Sequence, residues 1–409
     1  MAGRLRVLVA GAGIGGLTCA LALLRKGFEV EVLEKSPVLG EVGAGVQISP
    51  NGMRVLASLG VEPAAMEVCF IPKGREMRLW NTGDSCRRPA GDGEMVQRFG
   101  YPHITIHRAD LHGILLDAVR QHAAATIRLD ANCIAFEQDE AGVTVRLADG
   151  ETVQGDVLIG ADGIHSTIRR QMFGVSSARF TGGLAWRGVI PIERLPEHMR
   201  DRTGQTWVGP HGHFTVYPIR RGELINVVGH TERSDWQVES WYEIGKTSEF
   251  AEDFQGWHPE IQTLIQNIDT PYKWALFLHD TLKAWSKHRV TLLGDACHPM
   301  LPYLAQGANM ALEDGIVLAR CLDAHADDIP LALQCYERLR IPRTTRVVDE
   351  SAANQHRYHH PSLADPVAGK AYIDTAWDDQ MELRAWVFAY DATTVPIAEG
   401  IASAAEGAQ

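Results

Sequence analysis

Residues 5–10 read LRVLVA, an unbroken apolar run of β-formers, which predicts a strand buried on both faces. A glycine-rich turn follows, and residues 17–26 place small and apolar side chains at helical spacing. FEVEVL (28–33) alternates as a second strand and ends at Glu34. A helix with an early proline and a terminal glycine is predicted over 49–60. Another is predicted over 109–122, where Leu111, Ile114, Leu115, Ala118 and Val119 share one face. From 127 to 160 the pattern becomes several strands, broken by turns at 140–142 and 149–150 and closing on DVLIGAD.

The texture changes between 178 and 278, which is rich in Trp, His and Pro and carries strand-like pieces at 184–191, 213–219 and 224–229. VTLLG (290–294) restores the buried-strand pattern, and 306–322 is predicted as a long helix. Residues 328–354 and 366–388 read as further helices, joined by the unusual stretch HRYHHPSLADP. This order predicts an α/β fold: a doubly wound dinucleotide domain whose sheet is completed by distant segments, interrupted by a second, sheet-rich domain. The expected boundaries are 1–75, 100–177 and 279–330 for the first domain, 76–99 and 178–278 for the second, and 331–409 for a C-terminal helical region.

Composition narrows the partners. The chain has 409 residues, 45% hydrophobic and 22% charged, as expected of a globular protein. Its formal charge of −12 argues against a nucleic-acid partner, which needs basic faces, but leaves room for a small anion held by local Arg or His groups. Seven cysteines lie scattered with no C-x-x-C spacing, the pattern of reduced thiols in a cytoplasmic protein. The first apolar run is short and interrupted by glycine, so it reads as a strand and not as a signal peptide. No stretch approaches the ~20 apolar residues of a membrane span.

The glycine turn, VAGAGIGGLTCA (9–20), carries the first candidate chemistry. Gly11 permits the tight turn, Gly13 lets main chain approach a pyrophosphate, and Gly16 lets helix and strand pack closely. The helix N-terminus would face the diphosphate, and Glu34 would accept hydrogen bonds from a ribose diol while repelling a 2′-phosphate. The alternative is a ligand-free glycine turn. By itself the motif does not separate FAD from NAD, and no second strand–GxGxxG–helix follows to house a nicotinamide cofactor.

Two distant segments, ADGIHSTIRR (161–170) and LLGDACHPMLPYLAQGANMALED (292–314), resemble the second and third signatures of the single-component FAD-dependent aromatic hydroxylases. With the first turn they stand in the family's order and spacing along nearly the whole chain. The sequence is similar above all to the branch of salicylate hydroxylase, 3-hydroxybenzoate 6-hydroxylase and 6-hydroxynicotinate 3-monooxygenase. The resemblance implies a Rossmann-like FAD-binding domain of the para-hydroxybenzoate-hydroxylase kind, a β-sheet substrate domain and C-terminal helices. It implies FAD as cofactor, NADH (or NADPH) and O2 as co-substrates, and a monomer or homodimer with no metal. Asp295 then corresponds to the family's ribityl-binding aspartate and Arg108 to its FAD-contacting arginine. Asp162 and Gly163 match a pair used for both FAD and NAD(P)H. Gly307, Ala308 and Asn309 open a helix aimed at the flavin. Read alone, Asp162 is a turn-capping aspartate, and His298 beside Cys297 makes no metal site.

The region 178–278 is expected to supply the aromatic pocket. His213 and Tyr217 lie four apart on a strand and so share a face. The resemblance places them beside the ring hydroxyl, where a histidine base would take the phenol proton. Gln47, Arg187 and Pro302 are the other substrate candidates, Arg187 for an anionic group or, alternatively, for an inter-domain ion pair. Pro302 stands where the 3-hydroxybenzoate pattern has Gln, and Gln47 where the 6-hydroxynicotinate pattern has His. The first reading is therefore a salicylate-like hydroxylation with loss of CO2. Ring hydroxylation of a 6-hydroxynicotinate or 3-hydroxybenzoate type is its alternative, and a non-catalytic flavin-fold binding protein is the reading from another class.

Overall fold

In the computed structural model, which describes residues 5–40, 44–88, 93–122, 127–175, 178–200, 203–236 and 243–397 (main chain only over 376–383), the opening apolar run forms a central strand, Arg6–Ala10. It sits in a six-stranded sheet ordered Ser286–Lys287, Val290–Leu292, Val157–Gly160, Arg6–Ala10, Glu29–Leu33, Ile127–Arg128. All pairs are parallel except the first. Val7, Leu8, Val9, Leu158 and Ile159 are fully buried, as a sheet covered on both faces requires.

The first helix, Ile14–Arg25, begins earlier than its apolar pattern predicts. Its opening turn is built of glycine, which propensity disfavours, but a Cβ on Gly15 would stand 2.6 Å from the Leu293 side chain. Packing against the sheet, not propensity, sets the boundary. Beside this helix lie Arg108–His122 and Gly307–Ala324.

The second sheet has seven strands, ordered Tyr272–His279, Ala178–Pro191, Leu224–Glu232, Gly212–Ile219, Gly204–Gly209, Arg75–Leu79, Ser85–Arg88. Its outer face, with Trp186, Trp207, Phe214 and Val227, is sealed by Phe250, Phe254 and Ile261 of two short helices, Thr247–Asp253 and Pro259–Gln266. Its inner face meets the first domain. There the Tyr217 hydroxyl donates to Gly45 O at 2.8 Å and Gly45 N–H donates to Asn226 Oδ1 at 2.7 Å. Gly45 belongs to a short ribbon of Gly45–Ile48 with Ile104–His107.

Two long helices close the chain, Ile329–Tyr358 and Pro366–Ala389. The first runs through the HRY of the unusual stretch, beyond its predicted end. Its Arg340, fully buried, pairs with Glu313 at 2.6 Å and Asp314 at 2.7 Å, both also fully buried. His298 Nε2 lies 2.6 Å from the same Asp314. Three arginines hold the end of the chain by main-chain carbonyls. Arg54 donates to Phe99 O, Phe388 O and Tyr390 O, Arg343 to Val387 O, and Arg320 to Ala392 O and Val395 O. No helix among the described residues is long and apolar enough to cross a membrane.

Candidate active site

Four parallel strands end at one edge, and each is followed within three residues by a candidate cofactor residue: Gly11 after Ala10, Glu34 after Leu33, Asp162 after Gly160 and Asp295 after Leu292. This is the carboxyl edge at which open α/β sheets bind ligands. Gly11 has φ +109, and a Cβ there would meet Ala161 O at 2.4 Å; one on Gly16 would meet Gly11 O at 2.0 Å. Neither position accepts a side chain. Gly13 is different: a Cβ on it meets nothing within 4 Å, so its main chain faces open space.

The turn is held from both sides. Ala12 N–H donates to Glu34 Oε2 at 2.8 Å, and Ala12 O lies 2.8 Å from Nε2 of the buried His112. Asp162 does cap a helix, Oδ2 accepting from Thr167 and Ile168 N–H, but its Oδ1 is buried with no partner. The buried orphan acceptor asks for a hydroxyl or N–H donor and the open glycine cradle for an anion, a combination that a nucleotide's sugar and phosphates satisfy. Asp295 is exposed at the strand tip, and Arg108 opens the helix Arg108–His122 with its N–H donating to Ala44 O.

The helix Gly307–Ala324 points its N-terminus at the same edge. The Asn309 side chain is spent internally, accepting from Ser49 N–H at 3.0 Å and donating to Gln47 O and Ala305 O. What Gly307 and Ala308 offer a ligand is therefore main-chain N–H and the helix dipole. Among the described residues no cluster of His, Cys, Asp and Glu suits a metal ion.

On the inner face of the seven-stranded sheet, strand register puts His213, His230 and Ala185 in one row. Thr206, Thr215, Val228 and Arg187 form the next, and Tyr217 and Asn226 the third. Thr206, Thr215 and Val228 stay partly accessible although they lie in central strands. An accessible middle row between buried rows leaves this face open there. Arg187 borders this opening, buried, with its guanidinium 5.5 Å from the Tyr272 ring and 5.4 Å from that of Trp274. Burial raises the Tyr217 phenol despite the nearby Arg187. Gln47 Oε1 lies 3.2 Å from His103 Nε2, and Pro302 starts a turn, Pro302–Leu304, whose Tyr303 packs edge-on to His213.

His213 belongs to a chain of groups. Its Nδ1 lies 2.9 Å from His359 Nε2, His359 Nδ1 lies 2.8 Å from Glu232 Oε1, and Glu232 Oε2 lies 2.9 Å from Nδ1 of the exposed His211. The order of donors is fixed by the acid. A carboxylate only accepts, so His359 Nδ1 carries the proton and its Nε2 is a lone pair. That lone pair requires a proton on His213 Nδ1, which leaves His213 Nε2 as the free base. Burial, then His230 and His359, hold His213 well below the usual histidine range, so it is neutral at pH 7. Burial works against the Glu232 carboxylate, yet the hydrogen bonds from His211 and His359 keep it below its ordinary value. Sequence reasoning found His213 and missed His359 and Glu232; the available signal was the pairing of GPHGHF (209–214, with His211 and His213) with the cluster HRYHH.

Comparison with known proteins bears on both halves. Residues 4–351 match the family model described as FAD binding domain. The chain is 38% identical over 392 residues to a 3-amino-4-hydroxybenzoate 2-monooxygenase of Streptomyces platensis, covering 96% of this chain and 98% of the relative. It is 39% identical over 366 residues to a 3-hydroxybenzoate 6-hydroxylase of Polaromonas naphthalenivorans, covering 87% and 88%. A solved salicylate hydroxylase–substrate complex superposes with a TM-score of 0.79 at 27% identity, covering 95% of this chain and 96% of that one.

Proposed function

The chain belongs to the family of FAD-dependent aromatic-ring monooxygenases, and from that premise we propose that it hydroxylates a phenolic aromatic carboxylate with His213 Nε2 as the base that takes the phenol proton. Bound FAD, reduced by NAD(P)H, supplies activated oxygen; one atom of O2 enters the ring and the other leaves as water. NADH is the proposed reductant. Gly11, Gly13, Gly16, Glu34, Arg108, Asp162, Gly163, Asp295 and the helix start at Gly307–Asn309 are the proposed FAD contacts.

The observation that carries the reading is the hydrogen-bonded chain ending on His213. A phenolate ring is far more open to electrophilic attack than a phenol, so a base at the ring hydroxyl contributes roughly 10²–10⁴-fold. As His213 Nε2 accepts that proton, its Nδ1 proton passes to His359 Nε2 and the His359 Nδ1 proton to Glu232. The charge thereby moves toward the exposed His211 and does not remain as a buried imidazolium. Tyr217, Gln47, Arg187 and Pro302 border the proposed cavity, whose dryness protects the activated oxygen from loss as peroxide.

The two hydroxybenzoate relatives favour a product that keeps its carboxylate; Pro302 favours the salicylate-like outcome, in which the attacked carbon releases CO2. Scattered, mostly buried thiols support a reducing compartment, and we place the enzyme in the cytoplasm. The test is a panel of hydroxybenzoates and hydroxynicotinates labelled at the carboxyl carbon, with NADH loss, product and labelled CO2 measured together. We expect one acid to give coupled turnover, and His213→Gln to keep its flavin while hydroxylation falls about 100-fold or more. NADH oxidation yielding only H2O2 with every acid would overturn the reading.

A further inference from the structure

The last described helix packs against the strand Arg75–Leu79, and each brings an arginine that has no acid partner among the described residues. Arg75 points from the inner face of the sheet, in register with Gly204, and its Nη2 lies 2.9 Å from the His103 ring nitrogens. Arg384 comes from the last helix and donates from Nη2 to the Tyr358 hydroxyl at 3.1 Å. Neither has a described carboxylate within ion-pair distance, whereas the buried arginines Arg340 and Arg343 are saturated by Glu313 and Asp314. Burial and Arg384 push Arg75 down to about 9, so it stays charged at neutral pH. His103 offers no compensation, because burial, Arg75 and Arg384 hold it neutral.

Gln306, Glu350, Trp386 and Phe388 line a narrow surface crevice beside Arg384, with no enclosed volume of its own. Arg384 Nε and Trp386 Nε1 are both buried there with no partner. Each is donor-only, so the orphans ask for an acceptor. Glu350, the one carboxylate on the described wall, has its ion-pair partner in Arg357 at 3.4 Å. Tyr358, which accepts from Arg384, also packs 4.7 Å, ring to ring, from the proposed base His213.

We propose that Arg75 and Arg384, assisted by Trp386 Nε1, form the anion subsite that receives the carboxylate of the aromatic substrate, in place of Arg187. A planar carboxylate satisfies two cations and an indole N–H at once, and its charge offsets two half-buried guanidiniums that lack an acid among the described residues. Arg187 is the weaker candidate because its guanidinium is already spent over two aromatic rings. The inference rests on the function proposed above, and its failure is separable from that of the function.

The experiment uses flavin-loaded enzyme and paired probes, salicylate against salicylamide and 3-hydroxybenzoate against 3-hydroxybenzamide. Binding is read from the perturbation of flavin absorbance, beside coupled turnover of the acids. Arg75→Met and Arg384→Met should each lower the acid-over-amide affinity ratio by about 30-fold or more, with amide affinity and flavin content unchanged. Trp386→Phe should lower it less. Equal losses for acid and amide, or a loss confined to Arg187→Met, would overturn the subsite while leaving the hydroxylase intact. A wild-type enzyme that neither binds nor hydroxylates any of these acids would sink both.

Discussion

The cofactor edge of the parallel sheet and the inner face of the seven-stranded sheet are built on opposite plans. At the first, Gly11, Glu34, Asp162 and Asp295 stand within three residues of a strand end, so sequence motif and spatial position coincide. At the second, His213, His359, Arg75 and Arg384 come from four distant segments, and only strand register and the return of two helices bring them together. The first plan suits a large ligand held by main chain, and Gly11 and Gly16 there have no room for a side chain. The second would surround a small ligand with side chains.

That contrast can be broken at its strongest point first. Gly16→Val should abolish soluble folded protein, because the new Cβ meets Gly11 O at 2.0 Å, backbone against backbone. Gly13→Val has open space and should fold with unchanged thermal stability while FAD affinity falls about 100-fold or more. A Gly13→Val protein that purifies with full flavin would refute the cofactor edge. Next in size, Arg340→Met removes the cation shared by two buried carboxylates, leaving Glu313 to Arg343 and Asp314 to His298, and should cost about 3–5 kcal/mol in denaturant unfolding.

Smaller effects sharpen the other side. His359→Gln still accepts from His213 Nδ1 but passes no proton on, so coupled hydroxylation should fall about tenfold with KM and flavin content retained. A rate and pH profile identical to wild type would remove His359 from the path. Smallest is the pH dependence of stability. His213 and His103 are held well below 6.5 and His230 is pushed down to about 3, so the unfolded chain binds more protons than the folded one in acid. Stability from these groups is complete above pH 6.5 and is lost progressively as pH falls below it. Melting temperature should therefore drop from pH 7 to pH 5, and His230→Asn should flatten the slope; a slope that is unchanged would contradict the burial argument.

The strand–glycine–helix unit, the DVLIGAD strand and the helix after GDACHP were all legible because hydrophobic period and turn chemistry are local. Glu34, Asp162 and Asp295 inherited that legibility from their strands. His213 and Tyr217 were placed on one face by period alone, but their partners were not. Nothing within a few residues of Arg75 or Arg384 distinguishes it from a solvated arginine, and only the absence of a facing carboxylate, a property of distant packing, does so. The glycine start of the first helix was misjudged for the same reason, since what favours it is a leucine at 293.

The carbonyl grip on the end of the chain has an evolutionary consequence. Arg54, Arg320 and Arg343 seize main-chain oxygens between Val387 and Val395, and a carbonyl is the same whichever side chain accompanies it. The segment that carries Arg384 and Trp386 to the cleft is thus anchored by a lock indifferent to its sequence. Substitutions there alter what the cleft recognises without loosening how it is held, so new substrate preferences can be sampled at little cost to the fold.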